Sequence, residues 1–121
     1  MSEPPKHPPV MSVGVAVEEG CAVAVVAGEI DMATAPEMIA AVQAVIEDQP
    51  AAVLVDLAAV TFFASAGVHA LVVLHDLAQR HSVPVGLVHS EIVGHVLTIS
   101  SLPELLDTYP TRRMALDALT G

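Results

Sequence analysis

The chain has 121 residues, of which 54% are hydrophobic, 15% charged and 2% aromatic, which excludes a disordered polypeptide and calls for one small domain with an aliphatic core of Val, Ala and Leu. Fourteen acidic side chains against four basic ones (Lys6, Arg80, Arg112 and Arg113) give a net charge of −10, which argues against nucleic acid or an anionic membrane as a direct partner and favours a protein with a basic patch. No apolar run reaches the roughly 18 residues a membrane span needs, and MSEPPKHPP lacks the basic and apolar regions of a secretory signal, so the expected location is the cytoplasm.

In chain order, residues 1–11 read as a flexible, Pro-rich tail and residues 12–121 as the folded domain. SVGVAVEEG (12–20) alternates Val13, Val15 and Val17 with small or polar residues, the pattern of a half-buried strand. CAVAVVAGEI (21–30) is a second strand, close enough to form a hairpin around Glu18–Gly20, with Cys21 as a buried small hydrophobe. After a turn at Asp31–Ala33, Thr34-Ala35-Pro36-Glu37 carries helix-start signals: Thr34 as N-cap, Pro36 in the first turn and Glu37 completing a capping box. Ile39, Val42 and Ile46 form that helix's buried stripe, and Pro50 ends it.

AVLVDL (52–57) reads as a strand covered on both faces, followed by a loop over 58–64 and a helix from Ala66 to Arg80 with Val68, Leu71, Val72 and Leu77 inward. Val83–Val88 is a further strand, Ile92–Ile99 a short helix, Leu105–Tyr109 a short edge strand, and Thr111–Leu119 a closing helix capped by Thr111. The fold class is α/β: a single layer of mixed sheet with about four to five strands and about four helices, ordered β-β-α-β-α-β-α-(β)-α.

Six histidines invite a metal reading, but His69, His75 and His81 are six apart and diverge by about 120° on a helix, and His89 and His95 repeat that spacing across a turn. No metal or other cofactor is expected. Ser65 in Phe63-Ala64-Ser65-Ala66-Gly67 lacks the glycine two residues upstream that a hydrolase nucleophile elbow requires. Asp56 resembles the phosphoacceptor of a response-regulator receiver, but the acidic pair after the first strand and the lysine near the last are missing, which leaves Asp56 as a strand-end residue binding loop amides. With no general base, metal set or phosphate loop, an enzyme is not expected. Ser65 reads as a helix N-cap, and a helix N-terminus is also where a phosphate is best tolerated.

Two motifs, VVAGEIDMATAPEM (25–38) and VLVDLAAVTFFASAGVHALVVL (53–74), with VPVGLVHS onward, resemble the STAS domain, in particular the free-standing anti-sigma factor antagonists. The resemblance implies a bacterial regulator of transcription that works by partner switching: it binds an anti-sigma factor, usually itself a serine kinase, and so frees a sigma factor. Phosphorylation of the motif serine, here Ser65, ends that binding, and a separate phosphatase resets it. The partner surface implied comprises Glu29, Asp31 and Thr34 with Phe63, Ala64, Ala66, Gly67 and His69. Ala64 stands where the family carries Asp and Ala66 where it carries Ser, and the alternative is a STAS module of a transport or stress-signalling assembly that is not phosphorylated.

Overall fold

A computed structural model describes residues 10–100 and 106–121. The elements are β1 (Met11–Glu18), β2 (Cys21–Ile30), α1 (Ala35–Glu47), β3 (Val53–Phe63), α2 (Ser65–Arg80), β4 (Val85–His89), α3 (Glu91–Ser100), β5 (Asp107–Tyr109) and α4 (Arg112–Thr120). They form one sheet in the order β1-β2-β3-β4-β5, with β1 antiparallel to β2 and every other pair parallel. This is the mixed α/β architecture expected. The β1–β2 hairpin closes where Glu18 faces Cys21, and the two turn residues Glu19 and Gly20 both have positive φ (51° and 82°), the geometry that matches the natural twist of a hairpin.

Strand alternation divides the core into two layers. Ala24, Val26, Val53, Val55, Leu57 and Leu87 point to one face, where they meet Val42 and Ile46 of α1, Leu71 and Leu74 of α2, and Val93 and Leu97 of α3. Cys21, Val23, Leu54 and Val88 point to the other, where α4 covers them with Ala115 and Leu116. Cys21 is therefore the buried small hydrophobe expected. Thr111 caps α4 as expected, its hydroxyl accepting the Met114 N–H at 3.2 Å.

Several expectations are corrected. The loop foreseen over 58–64 is strand as far as Phe63. Two register shifts let β3 stay beside β2: Val25 faces Asp56 but Ala27 faces Ala59, and Gly28 faces Val60 but Glu29 faces Phe62. The extra residues break the alternation that marks a strand, so core-facing positions recur at Leu57, Val60 and Phe63. Asp56 lies inside the strand, not at its end. On α2 the buried line runs through Gly67, Ala70, Leu71, Leu74 and Ala78, leaving Val72 exposed and Val68 and Leu77 half-buried. Met11, expected in the tail, begins β1 and is buried. The first nine residues of the expected tail and Leu105 of the last strand lie outside the described residues.

The first register-shifted stretch of the β2–β3 edge also depends on Gly28. Its φ is +99°, and a Cβ there would sit 2.1 Å from the Val10 carbonyl oxygen, which accepts the Glu29 N–H at 2.8 Å. Backbone, unlike a flexible side chain, cannot swing aside. Gly28→Ala is therefore expected to cost about 3 kcal/mol, from left-handed strain and the steric conflict together; urea denaturation that finds the variant as stable as wild type would refute this.

Candidate functional site

Because β2, β3 and β4 run parallel, their C-terminal ends lie along one edge of the sheet, and the chain leaves them there through Asp31, Ala64 and Ser90. Ligand and partner surfaces in α/β folds gather at such edges. Glu29 faces Phe62 and Ile30 faces Phe63, and the Ala64 N–H donates to the Ile30 carbonyl at 2.9 Å. The turn after β2 and the start of α2 are thus held side by side.

The turn is organised by Asp31 and Thr34. Asp31 Oδ1 accepts the backbone N–H groups of Ala33 (2.9 Å) and Thr34 (3.0 Å). The Thr34 hydroxyl accepts the Asp31 N–H at 2.9 Å and donates to the Glu29 carbonyl at 2.8 Å. Thr34 occupies the N-cap position of α1, but its side chain makes no cap hydrogen bond. The expected capping box with Glu37 does not form, because the hydroxyl is committed backward to the turn. The Asp31–Ala33 turn foreseen in the sequence is therefore locked by the side chains at both its ends.

Donation from the Thr34 backbone above all, with the Ala33 N–H, holds the Asp31 carboxyl below the usual carboxylate range. A native value below the unfolded one, which is about 3.9, contributes stability that is fully present above that pH and lost as pH falls through the native value. The loop is accordingly expected to stay ordered across the neutral range and to titrate only in acid. Amide NMR shifts of Ala33 and Thr34 should move with a midpoint below the free-carboxylate value, and in Asp31→Ala those shifts should be displaced at every pH. A midpoint at or above the ordinary value contradicts the hydrogen-bonding account.

On the neighbouring strand the two phenylalanines have opposite fates. Phe63 is buried, and its ring lies over Gly67: a Cβ on Gly67 would come within 2.6 Å of the ring and 3.0 Å of Ile30 Cγ2. Gly67 thus allows α2 to begin close against the sheet. Phe62 is 47% exposed, and Met32, in the Asp31 turn, is 84% exposed. Phe63 and Gly67, read as partner-contacting, instead set the packing beneath the surface. Phe62 and Met32 are the exposed apolar side chains that the sequence reading missed, and Met32's place between Asp31 and Ala33 was the signal that could have found it.

Ser65 is exposed, but it is not the N-cap. That position is Ala64, which has no side chain to cap with, and Ser65 is the first helical residue. Its amide and that of Ala66 are the first two of the helix, positions with no intrahelical acceptor. Glu29 and His69 are also exposed, His69 one turn along from Ser65, while Thr34, Ala64 and Ala66 are half-buried. The histidines join no group that could hold a metal among the described residues.

Charge is distributed unevenly around this edge. Arg80 closes the far end of α2, where it pairs with Asp76 at 2.7 Å. Arg112 and Arg113 bind Glu18 and Glu19 at the hairpin turn, the opposite end of β2 from Glu29. The edge that carries Ser65 holds Glu29, Asp31 and, in the first turn of α1, Glu37, with no Arg or Lys among the described residues.

A mixed sheet in this order, with a Gly-Glu-Ile-Asp turn set beside a serine that opens the second helix, defines a class, and the family model for the STAS domain matches residues 12–115. The chain belongs to the STAS domain family. It is 32% identical over 115 residues to the anti-sigma-F factor antagonist RsfB of Mycobacterium tuberculosis, covering 94% of this chain and 91% of that protein. It is 31% identical to an anti-sigma factor antagonist from Mycobacterium paratuberculosis whose crystal structure superposes with a TM-score of 0.86 over 92% of this chain and 95% of that one. The Bacillus cell fate determinant SpoIIAA in its phosphorylated form shares the fold at 17% identity, with a TM-score of 0.66 over 89% of this chain and 99% of that one. No helix among the described residues is long and apolar enough to cross a membrane.

Proposed function

We propose that this protein is an anti-sigma factor antagonist: it binds an anti-sigma factor through the edge formed by the Asp31 turn and the start of α2, and so releases a sigma factor. It acts by binding, not by catalysis, and works in the cytoplasm. The observation that carries this reading is the juxtaposition of the locked Asp31 turn with an exposed serine at a helix start, in a chain about one-third identical to named antagonists over nearly its whole length. Residues 12–121 serve as the binding domain. The anti-sigma factor is a serine kinase whose target is Ser65, and a phosphatase restores the free hydroxyl.

The surface specifies the chemistry of its partner. Met32 and Phe62 offer apolar anchors, and Glu29, Asp31 and Glu37 surround them with negative charge. A complementary surface is apolar at its centre and basic at its rim. Affinity capture with the intact chain from its bacterial host should recover an anti-sigma factor. Phe62→Asp, which alters a surface side chain and leaves the core intact, should lower affinity for that protein by at least about tenfold. Recovery of a transport assembly in place of an anti-sigma factor would overturn the functional reading while leaving the fold untouched.

A further inference from the structure

β1 is a free edge of the sheet: it pairs with β2 on one side and has no strand on the other among the described residues. The Val10 carbonyl accepts the Glu29 N–H, and Val10 and Glu29 extend a register in which Glu18 faces Cys21 across the two-residue turn. In an antiparallel ladder, hydrogen-bonded and non-hydrogen-bonded positions alternate. The even-numbered residues of β1 therefore direct their N–H and C=O groups to β2. Met11, Val13, Val15 and Val17 direct theirs outward.

The same odd residues carry their side chains to the face covered by α1–α3, where they stand opposite Val26 and Ala24. That cover stops short of them: Val15 is 54% and Val17 75% exposed. Natural sheets protect a long edge with lysine, proline, a bulge or an inward charge. From Met11 to Val17 this strand has none of these, and its register with β2 is unbroken. An edge that combines unused backbone donors and acceptors with an apolar row is built to receive another strand.

We propose that the occupant is β1 of a second copy, paired antiparallel about a twofold axis at Gly14, so that two sheets join edge to edge. Electrostatics favours a second copy here. The chain carries a net charge of −10, yet β1 is uncharged up to Glu18, and Glu18 and Glu19 are neutralised by Arg112 and Arg113. Two copies can meet at this edge without like charges opposed.

Register also favours it. A twofold axis there sets odd residues against odd, valine against valine, and places the small residues Ser12, Gly14 and Ala16 against one another on the other face. The chain's own N-terminal segment is a poor rival, since four of the nine residues before Val10 are prolines (Pro4, Pro5, Pro8 and Pro9) with no N–H to donate. Ser65 follows β3, two strands in from this edge, so pairing leaves Ser65 accessible on both copies.

Sedimentation equilibrium of the full chain tests this, with amide hydrogen exchange measured at dilute and concentrated protein. A concentration-dependent dimer is expected, with Val13, Val15 and Val17 amides gaining protection as it forms. Val15→Lys, at an exposed position, should raise the dimer dissociation constant at least about tenfold by bringing two lysines close together. A chain that stays monomeric at high concentration overturns the proposal. So does a dimer whose odd-residue amides in β1 remain unprotected, a result that needs no variant to fold.

Discussion

Ser65→Glu is expected to leave the fold intact and to weaken binding to the anti-sigma factor by about a hundredfold or more. The two halves of that expectation have different physical origins. Ser65 is exposed at the first position of α2 and caps nothing, so replacing it removes no interaction the fold depends on. A carboxylate there meets the positive end of the helix, a favourable contact of about 0.3–1 kcal/mol. Thermal stability should be unchanged or slightly raised. At an interface the balance reverses. The centre of the proposed contact is apolar, with Met32 and Phe62 exposed, and an added carboxylate buried there without a partner of its own costs several kcal/mol; about 2.7 kcal/mol is a hundredfold in affinity.

A phosphate would act in the same direction with about −1.5 to −2 charge, too weakly within the domain to refold it and strongly enough at the interface to eject the partner. Calorimetric titration against the recovered anti-sigma factor decides. Equal affinity for wild type and Ser65→Glu removes Ser65 as the switch and leaves the partner assignment standing, whereas an unfolded Ser65→Glu contradicts the exposed placement of the residue. Ala64 adds a distinction. Ala64 stands where the resemblance leads one to expect an acid, so whether Ser65 can be phosphorylated is a separate experiment from the charge substitution.

The sequence made the element order legible because nearly every element announces itself locally: alternating valines in β1, a two-residue turn at Glu19-Gly20, Thr111 before α4. It was least informative where tertiary structure overrides local pattern. The two register shifts along β3 hide a strand behind a stretch that reads as loop, and they make Phe62 and Phe63 indistinguishable until the pairing is known. Thr34 misleads for a related reason. It carries a capping signal, but the neighbouring Asp31 amide and Glu29 carbonyl compete for the same hydroxyl and win. Ser65 lies one residue inside the position expected for it, a shift that turns a capping residue into an exposed one. The site's location was therefore readable from the motifs, but its division into surface and support was not: Gly67 and Phe63 look like contacts and are packing, while Met32 and Phe62 look incidental and are exposed.

A large effect on stability is also expected from Arg112→Met. Asp56 points from the middle of β3 toward α4, its side chain only 7% exposed, and Arg112 reaches it from the first position of that helix, Nε to Oδ2 at 2.8 Å, while also holding Glu18 at 2.9 Å. Hydrogen bonding to Asp56 above all raises the Arg112 guanidinium further above its ordinary value. Removing the arginine strands a carboxylate beside Val88, on the sheet face that Leu54 shares, with only the Ala58 N–H at 2.9 Å left to it. Breaking a buried pair from one side costs about 3–5 kcal/mol, and the lower end applies because Arg112 is itself 38% exposed, so water can enter the space it leaves.

A loss of about 3 kcal/mol lowers Tm by roughly 10 °C in a chain of this size. Asp56→Asn should cost less, about 1 kcal/mol, since Arg112 keeps Glu18 and water while the amide oxygen can still accept from Ala58. The double replacement Arg112→Met with Asp56→Leu should recover most of the loss, because an apolar pair needs no charge compensation. That ordering, with the single arginine variant least stable and the double near wild type, separates a stranded charge from a simple loss of packing. If the double variant is instead the least stable, α4 is held by the ion pair itself and not by the apolar layer it seals.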